Sequence, residues 1–233
     1  RARYTGLGKA EWWWLYEDVL EDAAAMMTEC SVAVLDDFLL PEQMLAVREE
    51  VISARDDGRL APGVLGGGRL GSTLAYVHES VRGDLCGWFN STEPFFVSLA
   101  EYGRKIGTVI AELHSHLPEL MTVDMRSRYM VTCYPGTGAR YTRHCDNANG
   151  NGRRVTALLY LNPGWKPDHG GCLRVYEEDG VTVKRCAGLL TGLRREVEPL
   201  ASRVVLFYSD TRVPHEVLPA YADRFAVTVW FFE

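Results

Sequence analysis

The sequence predicts an α+β fold, or a β-barrel or β-sandwich that carries helices on its outside. In the first half of the 233-residue chain, apolar residues recur at helical spacing, whereas after residue 127 they alternate as in strands. No internal repeat and no linker-like segment divides the chain. We therefore expect one domain over residues 1–233, with a helical extension at 1–30 and a strand-rich core at 127–233.

Three helices and an early strand are expected before residue 127. Residues 11–29, EWWWLYEDVLEDAAAMMTE, combine apolar residues at helical intervals with an acidic face and predict the first helix. A strand is expected within 31–40. The second helix should begin at Pro41, a residue that suits a first turn, and should end at Gly58. The third helix is expected over 92–117.

The Gly-rich segment 59–72, RLAPGVLGGGRLGS, is expected to be a loop. It is not a phosphate-binding P-loop, because no Lys-Ser/Thr pair follows and no strand leads directly into it. It is either a flexible surface connection or a mobile lid beside an active site.

Strands are expected throughout the second half of the chain. Its segments are rich in β-branched and aromatic residues and are separated by turn residues. The predicted strands are RYMVTCYP, RRVTALLYLN, GCLRVYEED, SRVVLFYSD and RFAVTVWFF.

The composition is typical of a globular protein, with 47% hydrophobic and 24% charged residues. A net charge of −6 argues against nucleic acid or an anionic membrane as a partner. We expect no signal peptide and no membrane span. The six cysteines form no CxxC pair, which predicts free thiols in a reducing compartment. The expected location is the cytoplasm, with the nucleus as a second candidate, and the expected state is a monomer.

A candidate metal site begins at HCD, residues 144–146. Residues two apart in an extended segment point to the same side, so His144 and Asp146 can ligate one metal ion. Such a pair also arises by chance, and a second histidine is therefore needed. His215 is the best candidate, because it follows the apolar strand RVVLF and precedes the final strand. Two histidines and one carboxylate form the ligand set of non-haem iron(II) oxygenases, which leaves coordination positions open.

The final strand, RFAVTVWFF, provides an independent test. Arg224 alternates with core residues there, and burial of an unpaired guanidinium is costly. Either an acidic side chain or a ligand must pair with it, and a dicarboxylate such as 2-oxoglutarate suits the fork-shaped guanidinium. On another strand Tyr160 is expected to share a face with Arg154, Thr156 and Leu158, and its hydroxyl can share that carboxylate.

These features resemble the iron(II)- and 2-oxoglutarate-dependent dioxygenases: HCD at 144–146, PHEV at 214–217, and Arg224 nine residues after His215. More narrowly, MVTCYPGTGARYTRHCDN, LLYLNPGW, GGCLRVY and FYSDTRVPHEVLPAYADRFAVTVWFF look like the cytoplasmic prolyl 4-hydroxylases. Members of that family modify hypoxia-inducible factor α in animals, or the adaptor subunit of SCF ubiquitin ligases in protists. The resemblance covers about residues 30–233 and is most specific from 127 onward.

The resemblance implies a double-stranded β-helix, the jelly-roll barrel of the cupin type, with N-terminal helices packed against it. It also implies iron(II), the co-substrates 2-oxoglutarate and dioxygen, and ascorbate as a reductant. By position, the iron ligands are His144, Asp146 and His215, and Arg224 holds the far carboxylate of 2-oxoglutarate. Other residues match the co-substrate pocket (Tyr160, Tyr134, Thr228, Trp230) or the substrate entrance (Tyr141, Arg153, Tyr76).

The resulting prediction is a prolyl 4-hydroxylase that modifies a proline in a cytoplasmic regulatory protein and acts in oxygen sensing. Its substrate is expected to be the ubiquitin-ligase adaptor or the transcription factor hypoxia-inducible factor α. Gly66–Gly68 makes the loop less charged than in the animal enzymes, and the segment 184–199 is longer than expected. These departures favour the adaptor type and prevent transfer of a substrate sequence preference.

Two alternatives stay open. The first is a 2-oxoglutarate oxygenase with another substrate, such as a free amino acid, a lysyl side chain or a nucleobase, although the acidic pI counts against the last. The second is a non-catalytic jelly-roll binding module, against which the intact triad argues. A halogenase is disfavoured because Asp146 occupies the ligand position that those enzymes leave open for halide.

Overall fold

The computed structural model describes residues 11–66, 75–188 and 196–233. For five of these residues only the backbone is described, namely 66, 75, 76, 187 and 188. Parts of three predicted features therefore lie outside the described residues: the N-terminal extension, the Gly-rich loop and the segment 184–199.

Three α-helices form in the first half of the chain, as predicted. They are α1 (Glu17–Cys30), α2 (Pro41–Asp56) and α3 (Val97–Leu113). Short 3₁₀ helices cover Trp13–Leu15, Pro118–Leu120 and Pro167–His169.

The ends of the helices follow from local chemistry. Helix α2 begins at Pro41, and Gly58 beyond its end adopts a φ of 70°, which suits the predicted stop. Helix α3 begins later than predicted, and its first turn is stabilised from another helix. The Glu50 carboxylate accepts the backbone N–H groups of Ser98 and Leu99 at 2.7 and 2.9 Å.

The strands form two main sheets and one ribbon. The major sheet contains β1 (Val32–Leu35), β2 (Ala61–Pro62), β5 (Leu85–Phe89), β6 (Met125–Arg126), β7 (Tyr129–Tyr134), β9 (Arg153–Tyr160), β11 (Ala187–Gly188), β13 (Val204–Tyr208) and β15 (Arg224–Phe232). The minor sheet contains β8 (Ala139–His144), β10 (Leu173–Val175), β12 (Glu196–Val197) and β14 (His215–Ala220). The ribbon pairs β3 (Val64–Gly66) with β4 (Ala75–Val77).

From β7 to β15 the chain alternates strictly between the two main sheets. The strand order is β11-β1-β13-β9-β15-β7-β5-β2 in the major sheet, where β6 also pairs with β15, and β12-β10-β14-β8 in the minor sheet. Apart from the β1–β11 pair, the described strand pairs are antiparallel. This alternation confirms the predicted double-stranded β-helix. Strands β1, β2 and β5 extend the major sheet with residues that precede 127.

The two faces of β15 divide the molecule into a core side and a cavity side. Phe225, Val227 and Val229 are buried in the hydrophobic core that the sheet shares with the helices. The Arg55 guanidinium of α2 lies over the Phe225 ring, 5.0 Å from its centroid. Arg224 and other side chains of alternate positions on β15 face a cavity between the sheets. The period of two therefore assigns one face to packing and the other to the candidate site.

Within the described ranges, none of the helices has the length and apolar character required to cross a membrane.

Candidate active site

His144, Asp146 and His215 converge at one end of the cavity. His144 ends β8 and His215 begins β14, and the two are register partners across the minor sheet. The Asp146 Oδ1 atom lies 3.8 Å from His144 Nε2 and 4.0 Å from His215 Nε2. One potential ligand atom from each residue lies within 4.8 Å of the other two. Three side chains from two strands and a turn can therefore contact the same metal ion.

The backbone fixes both imidazole rings in the orientation that metal binding requires. His144 Nδ1 donates to the carbonyl of Thr142, and His215 Nδ1 donates to the carbonyl of Val213, each at 2.9 Å. With the proton on Nδ1, each Nε2 atom presents a lone pair toward Asp146.

The Asp146 carboxylate is held by its other oxygen. Oδ2 accepts hydrogen bonds from Thr156 Oγ1 at 2.6 Å and from Trp230 Nε1 at 3.0 Å, so Oδ1 faces the histidines. Burial acts to raise the pKa of Asp146, but His215, His144 and the two donors outweigh it and lower the pKa below its ordinary value. The carboxylate is thus ionised at neutral pH, as a metal ligand must be.

His144 is poised in the complementary protonation state. Burial, followed by repulsion from His215, lowers its pKa below the ordinary value. A neutral imidazole beside an ionised carboxylate is the state in which this ligand set binds a divalent cation.

Hydrogen bonds from nearby side chains to backbone carbonyls hold the turn that carries Asp146. The Asp146 carbonyl accepts hydrogen bonds from Asn151 Nδ2 at 3.0 Å and Arg153 Nη1 at 3.2 Å. Asn147 Nδ2 donates to the Arg153 carbonyl at 2.8 Å. The run of Asn and Gly residues after the HCD motif is therefore a turn that fixes the ligand.

The cavity extends from the three candidate ligands to the far end of the space between the sheets. Its volume is about 470 Å³, which is in the range of small-molecule sites. Both sheets contribute to its lining, which includes Thr132, Tyr134, Tyr141, His144, Asp146, Arg153, Thr156, Leu158, Leu173, His215, Val217, Arg224, Thr228 and Trp230.

Arg224 lies at the far end and is 1% exposed. Its Nε donates to the carbonyl of Gly171 at 2.7 Å, but its buried Nη2 has no hydrogen-bond partner among the described residues. Its guanidinium carbon lies 5.0 and 4.8 Å from the ring centroids of Tyr134 and Tyr160. None of the described carboxylates forms an ion pair with Arg224. Burial of an unpaired guanidinium is costly unless a ligand supplies the missing partner.

Gly171 allows the approach of the Arg224 side chain. Its φ is 66°, and a Cβ atom at this position would lie 2.9 Å from Arg224 Cδ. A side chain here would displace the guanidinium and would also strain the backbone.

The Tyr160 hydroxyl is a second polar group that lacks a hydrogen bond to the described part of the chain. Burial raises the pKa of Tyr160 to about 12, so the hydroxyl keeps its proton at neutral pH and can donate. Tyr160 is not among the residues that line the cavity, but its ring lies beside the Arg224 guanidinium, and a guanidinium with a neutral hydroxyl nearby fits a carboxylate. The residues present therefore fit a 2-oxo dicarboxylate between Arg224 and the triad.

Two stacks of aromatic and guanidinium groups flank the cavity. Tyr141 stacks on the His144 ring with a centroid distance of 3.7 Å and an interplanar angle of 16°. On the other side the Arg153 guanidinium lies 4.0 Å from the Trp230 ring centroid, and Trp88 stacks on Trp230 at 5.6 Å. The structure thus places Tyr141 against His144 and Arg153 beside Asp146, and their role at the substrate entrance stays a prediction.

A β-bulge changes the predicted face of one strand. Simple alternation puts Arg154 on the face of Thr156, but the register between β15 and β9 shifts between Phe231 and Phe232, and Phe232 pairs with Arg153. Arg153 consequently lines the cavity, whereas Arg154 is exposed and pairs with Glu233. The expectation for Arg154 was therefore wrong, because a bulge cannot be recognised from alternation alone.

Tyr76 is the remaining predicted site residue. Its backbone lies in β4, where it pairs with Leu65 of β3. Its side chain lies outside the described residues, as does most of the predicted lid, so the entrance role of Tyr76 stays a prediction.

Some groups that support the site were not predicted from the sequence. Arg82 also lines the cavity and binds Asp84 through two hydrogen bonds of 2.7 and 2.9 Å. Its guanidinium carbon lies 5.0 Å from the Tyr141 ring centroid. No pattern in the loop around Arg82 indicated this pair. Thr156 could have been found, because it lies on the same strand face as Tyr160 and can reach a ligand by side-chain hydrogen bonding.

Comparison with known proteins identifies relatives over nearly the whole chain. The model of the 2OG-Fe(II) oxygenase superfamily matches residues 129–232. Prolyl hydroxylase EGLN3 of Mus musculus is 36% identical over 215 residues, which cover 92% of this chain and 83% of that protein. Egl nine homolog 1 of Homo sapiens is 34% identical over 215 residues, but these cover 46% of its length. The chain thus spans about half of the longer relatives.

A solved structure supports the same relationship. A prolyl hydroxylase of Trichoplax adhaerens, in complex with a peptide fragment of the hypoxia inducible factor oxygen degradation domain, superposes with a TM-score of 0.78. The two chains are 29% identical, and the match covers 97% of this chain and 94% of that one.

Proposed function

The chain belongs to the 2OG-Fe(II) oxygenase superfamily, and from this we propose that it is a prolyl 4-hydroxylase that acts on a protein, with dioxygen and 2-oxoglutarate as co-substrates. One observation carries the proposal: a triad of His, Asp and His and an unpaired, buried arginine share one cavity. The two features require different ligands, a divalent metal ion and a carboxylate.

His144, Asp146 and His215 would hold iron(II), which together with bound 2-oxoglutarate and dioxygen supplies the oxidising chemistry. The two backbone carbonyls bind the Nδ1 protons and leave both Nε2 atoms able to bind the metal, and Thr156 and Trp230 would keep one oxygen of Asp146 available to it. Three protein ligands leave positions open for the co-substrates.

Arg224 and Tyr160 would bind the far carboxylate of 2-oxoglutarate and set its distance from the metal. Their role is positional, because the guanidinium stays charged and burial keeps the Tyr160 hydroxyl protonated. Tyr134 covers the guanidinium with its ring, and Thr228 lines the same space. Both sheets would shield the co-substrate from bulk water.

Tyr141, Arg153 and Trp230 would form the wall that the target proline contacts. The stacks that involve these residues give an apolar surface with a guanidinium edge beside the metal ligands. Such a surface suits a proline ring and the polar backbone next to it. Tyr76 and the loop before it would cover this side.

The substrate that we propose is a regulatory protein, either hypoxia-inducible factor α or an SCF ubiquitin-ligase adaptor, with a role in oxygen sensing. The first is supported by the peptide bound in the Trichoplax adhaerens relative, and the second by the departures in the sequence. We also propose a cytoplasmic location, which is supported by six free cysteines. The monomeric state stays a prediction.

Mass spectrometry tests the proposal directly. Peptides from both substrate classes are incubated with the protein, iron(II), 2-oxoglutarate and ascorbate, and a gain of one oxygen on proline is expected. His215→Ala should give no product. Oxygen gain on another residue or on a free amino acid would support the alternative oxygenase. Succinate formation without oxygen gain on a proline of any of these peptides would contradict prolyl hydroxylation. No succinate under any condition would favour the non-catalytic binding module.

A further inference from the structure

Ser209 lies outside the ligand set but contacts both segments that hold Asp146. It is the first residue after β13 and is 1% exposed. Its Oγ lies 2.9 Å from Thr156 Oγ1, and its carbonyl accepts the N–H of Asn147 at 2.7 Å. Asn147 directly follows Asp146, so one serine contacts the carboxylate's hydrogen-bond donor and the adjacent backbone.

The chemistry of the groups fixes the direction of this hydrogen-bond chain. A carboxylate that binds a metal ion only accepts hydrogen bonds, so the 2.6 Å contact requires Thr156 to donate its single hydroxyl proton to Asp146 Oδ2. Thr156 Oγ1 can then only accept from Ser209, whose hydroxyl must donate. The order is therefore Ser209 to Thr156 to Asp146, and each donor polarises the next.

We propose that Ser209 is a positioning residue for metal binding, which acts on Asp146 through the Thr156 hydroxyl and through the backbone of Asn147. The hydroxyl of Ser209 removes the rotational freedom of the Thr156 hydroxyl. Its carbonyl fixes the start of the turn that follows the ligand. The inference rests on the metal site of the proposed function, and Ser209 itself touches neither metal nor co-substrate.

Two partners already hold the carboxylate, so the loss of a more distant group should have a moderate effect. Removal of a direct partner of a metal ligand typically weakens metal affinity by 10–100-fold. For Ser209→Ala we expect the Co(II) dissociation constant to rise by about 3–10-fold, below that range. Ser209→Thr keeps the hydroxyl and should return the constant to within about twofold of wild type.

The test is a Co(II) titration of the protein without 2-oxoglutarate or substrate, followed by visible absorption. Ser202→Ala is the matched control, because Ser202 is also buried and its hydroxyl bonds the backbone of Leu39, away from the cavity. This control should reduce thermal stability and leave the Co(II) constant unchanged. Ser209→Cys, which keeps the side-chain size but donates weakly, serves if the alanine variant does not fold.

A double-mutant cycle tests whether the Ser209 side chain acts on Asp146 through Thr156. If the side chain of Ser209 acts through Thr156, Ser209→Ala should add little to the weakening already caused by Thr156→Val. The inference would be overturned if Ser209→Ala had the same Co(II) dissociation constant as wild type. It would also be overturned if Ser202→Ala raised that constant as much as Ser209→Ala does. Failure of the wild-type protein to bind Co(II) would instead refute the metal site on which the proposed function depends.

Discussion

The two ends of the cavity differ in how the protein satisfies its polar groups. At the triad, both imidazole Nδ1 atoms and Asp146 Oδ2 have protein partners, so only the atoms that face a metal are left. At the far end, Arg224 Nη2 and the Tyr160 hydroxyl lack partners in the described chain. The metal ligands are thus pre-arranged, whereas the far end keeps unsatisfied groups that a carboxylate can complete.

The two ends of the cavity consequently contribute to the stability of the fold in opposite ways. A satisfied polar network can stabilise the fold before any ligand binds. A buried guanidinium without a carboxylate destabilises the protein until the ligand arrives. Variants at each end of the cavity can therefore distinguish a pre-arranged metal site from a carboxylate site that awaits its ligand.

Loss of a triad ligand should have the largest effect. His144→Ala, Asp146→Ala and His215→Ala each remove one of three metal contacts, and turnover should fall to background. Succinate release measures this, and His116→Ala, whose ring lies near Glu17, serves as the control that keeps full activity. Succinate at the wild-type rate from His215→Ala would show that the triad is assigned wrongly.

Replacement of Arg224 by methionine should affect function and stability in opposite directions. The KM for 2-oxoglutarate should rise by about 10–150-fold, since a hydrogen bond to a charged group contributes about 1.5–3 kcal/mol. The ligand-free protein should at the same time melt at a higher temperature, because an unpaired buried charge is removed.

Arg203 is the matched control for Arg224. Both arginines are 1% exposed, but Arg203 Nε bonds the Asp36 carboxylate at 2.5 Å. Arg203→Met should leave Asp36 buried without its partner and lower the melting temperature, with little change in the KM for 2-oxoglutarate. A lower melting temperature for Arg224→Met as well would break the comparison between the two ends.

Thr156→Val should weaken metal binding by about tenfold. This is the lower end of the range for removal of a ligand's hydrogen-bond partner, because Trp230 keeps its hydrogen bond to Asp146. Isothermal titration with Co(II) measures this. Thr132→Val makes the same change at a buried threonine whose hydroxyl bonds the Ala226 carbonyl, and it should leave the affinity unchanged. Wild-type Co(II) affinity in Thr156→Val would show that metal binding does not need the hydrogen bond from Thr156 to the Asp146 carboxylate.

Tyr160→Phe should raise the KM for 2-oxoglutarate by about 2–10-fold, because it removes one neutral hydrogen bond, which contributes about 0.5–1.5 kcal/mol. Removal of an unpaired buried hydroxyl should not destabilise the ligand-free protein. Tyr102→Phe changes a buried hydroxyl that also lacks a described partner but lies in the core, and its KM should be normal. An unchanged KM for Tyr160→Phe would exclude the hydroxyl from the carboxylate site.

The smallest effect concerns pH. Because burial raises the pKa of Tyr160 to about 12, its hydroxyl stays a donor and is lost only as pH rises through that value. The KM for 2-oxoglutarate should therefore not increase between about pH 7 and about pH 10 through titration of this group. An increase that appears in wild type but not in Tyr160→Phe would contradict the raised pKa.

Much of the site could be predicted from spacing. Two ligands on one face of an extended segment and an arginine among core residues follow from a period of two, whereas His215 was chosen by its position between two predicted strands. The residues that hold those ligands were harder to predict. Trp230 was expected to line the pocket, but its N–H to Asp146 depends on how β15 lies beside the turn at 146. The contact between Arg82 and Tyr141 and the bulge at Arg154 depend on pairing between segments that are distant in the chain.

Periodicity and the cost of burying charge act locally, so the strand-rich second half, the three helices, the candidate metal ligands and the arginine that needs a partner could be predicted from the sequence. The tertiary structure decided which groups share a cavity and which stay unsatisfied. The hydrogen-bond partner of a buried polar atom can come from a distant part of the chain, as Ser209 does for Thr156, 53 residues away. Hydrogen bonds of this kind depend on distance in space, and only the packed sheets bring their donors and acceptors within range.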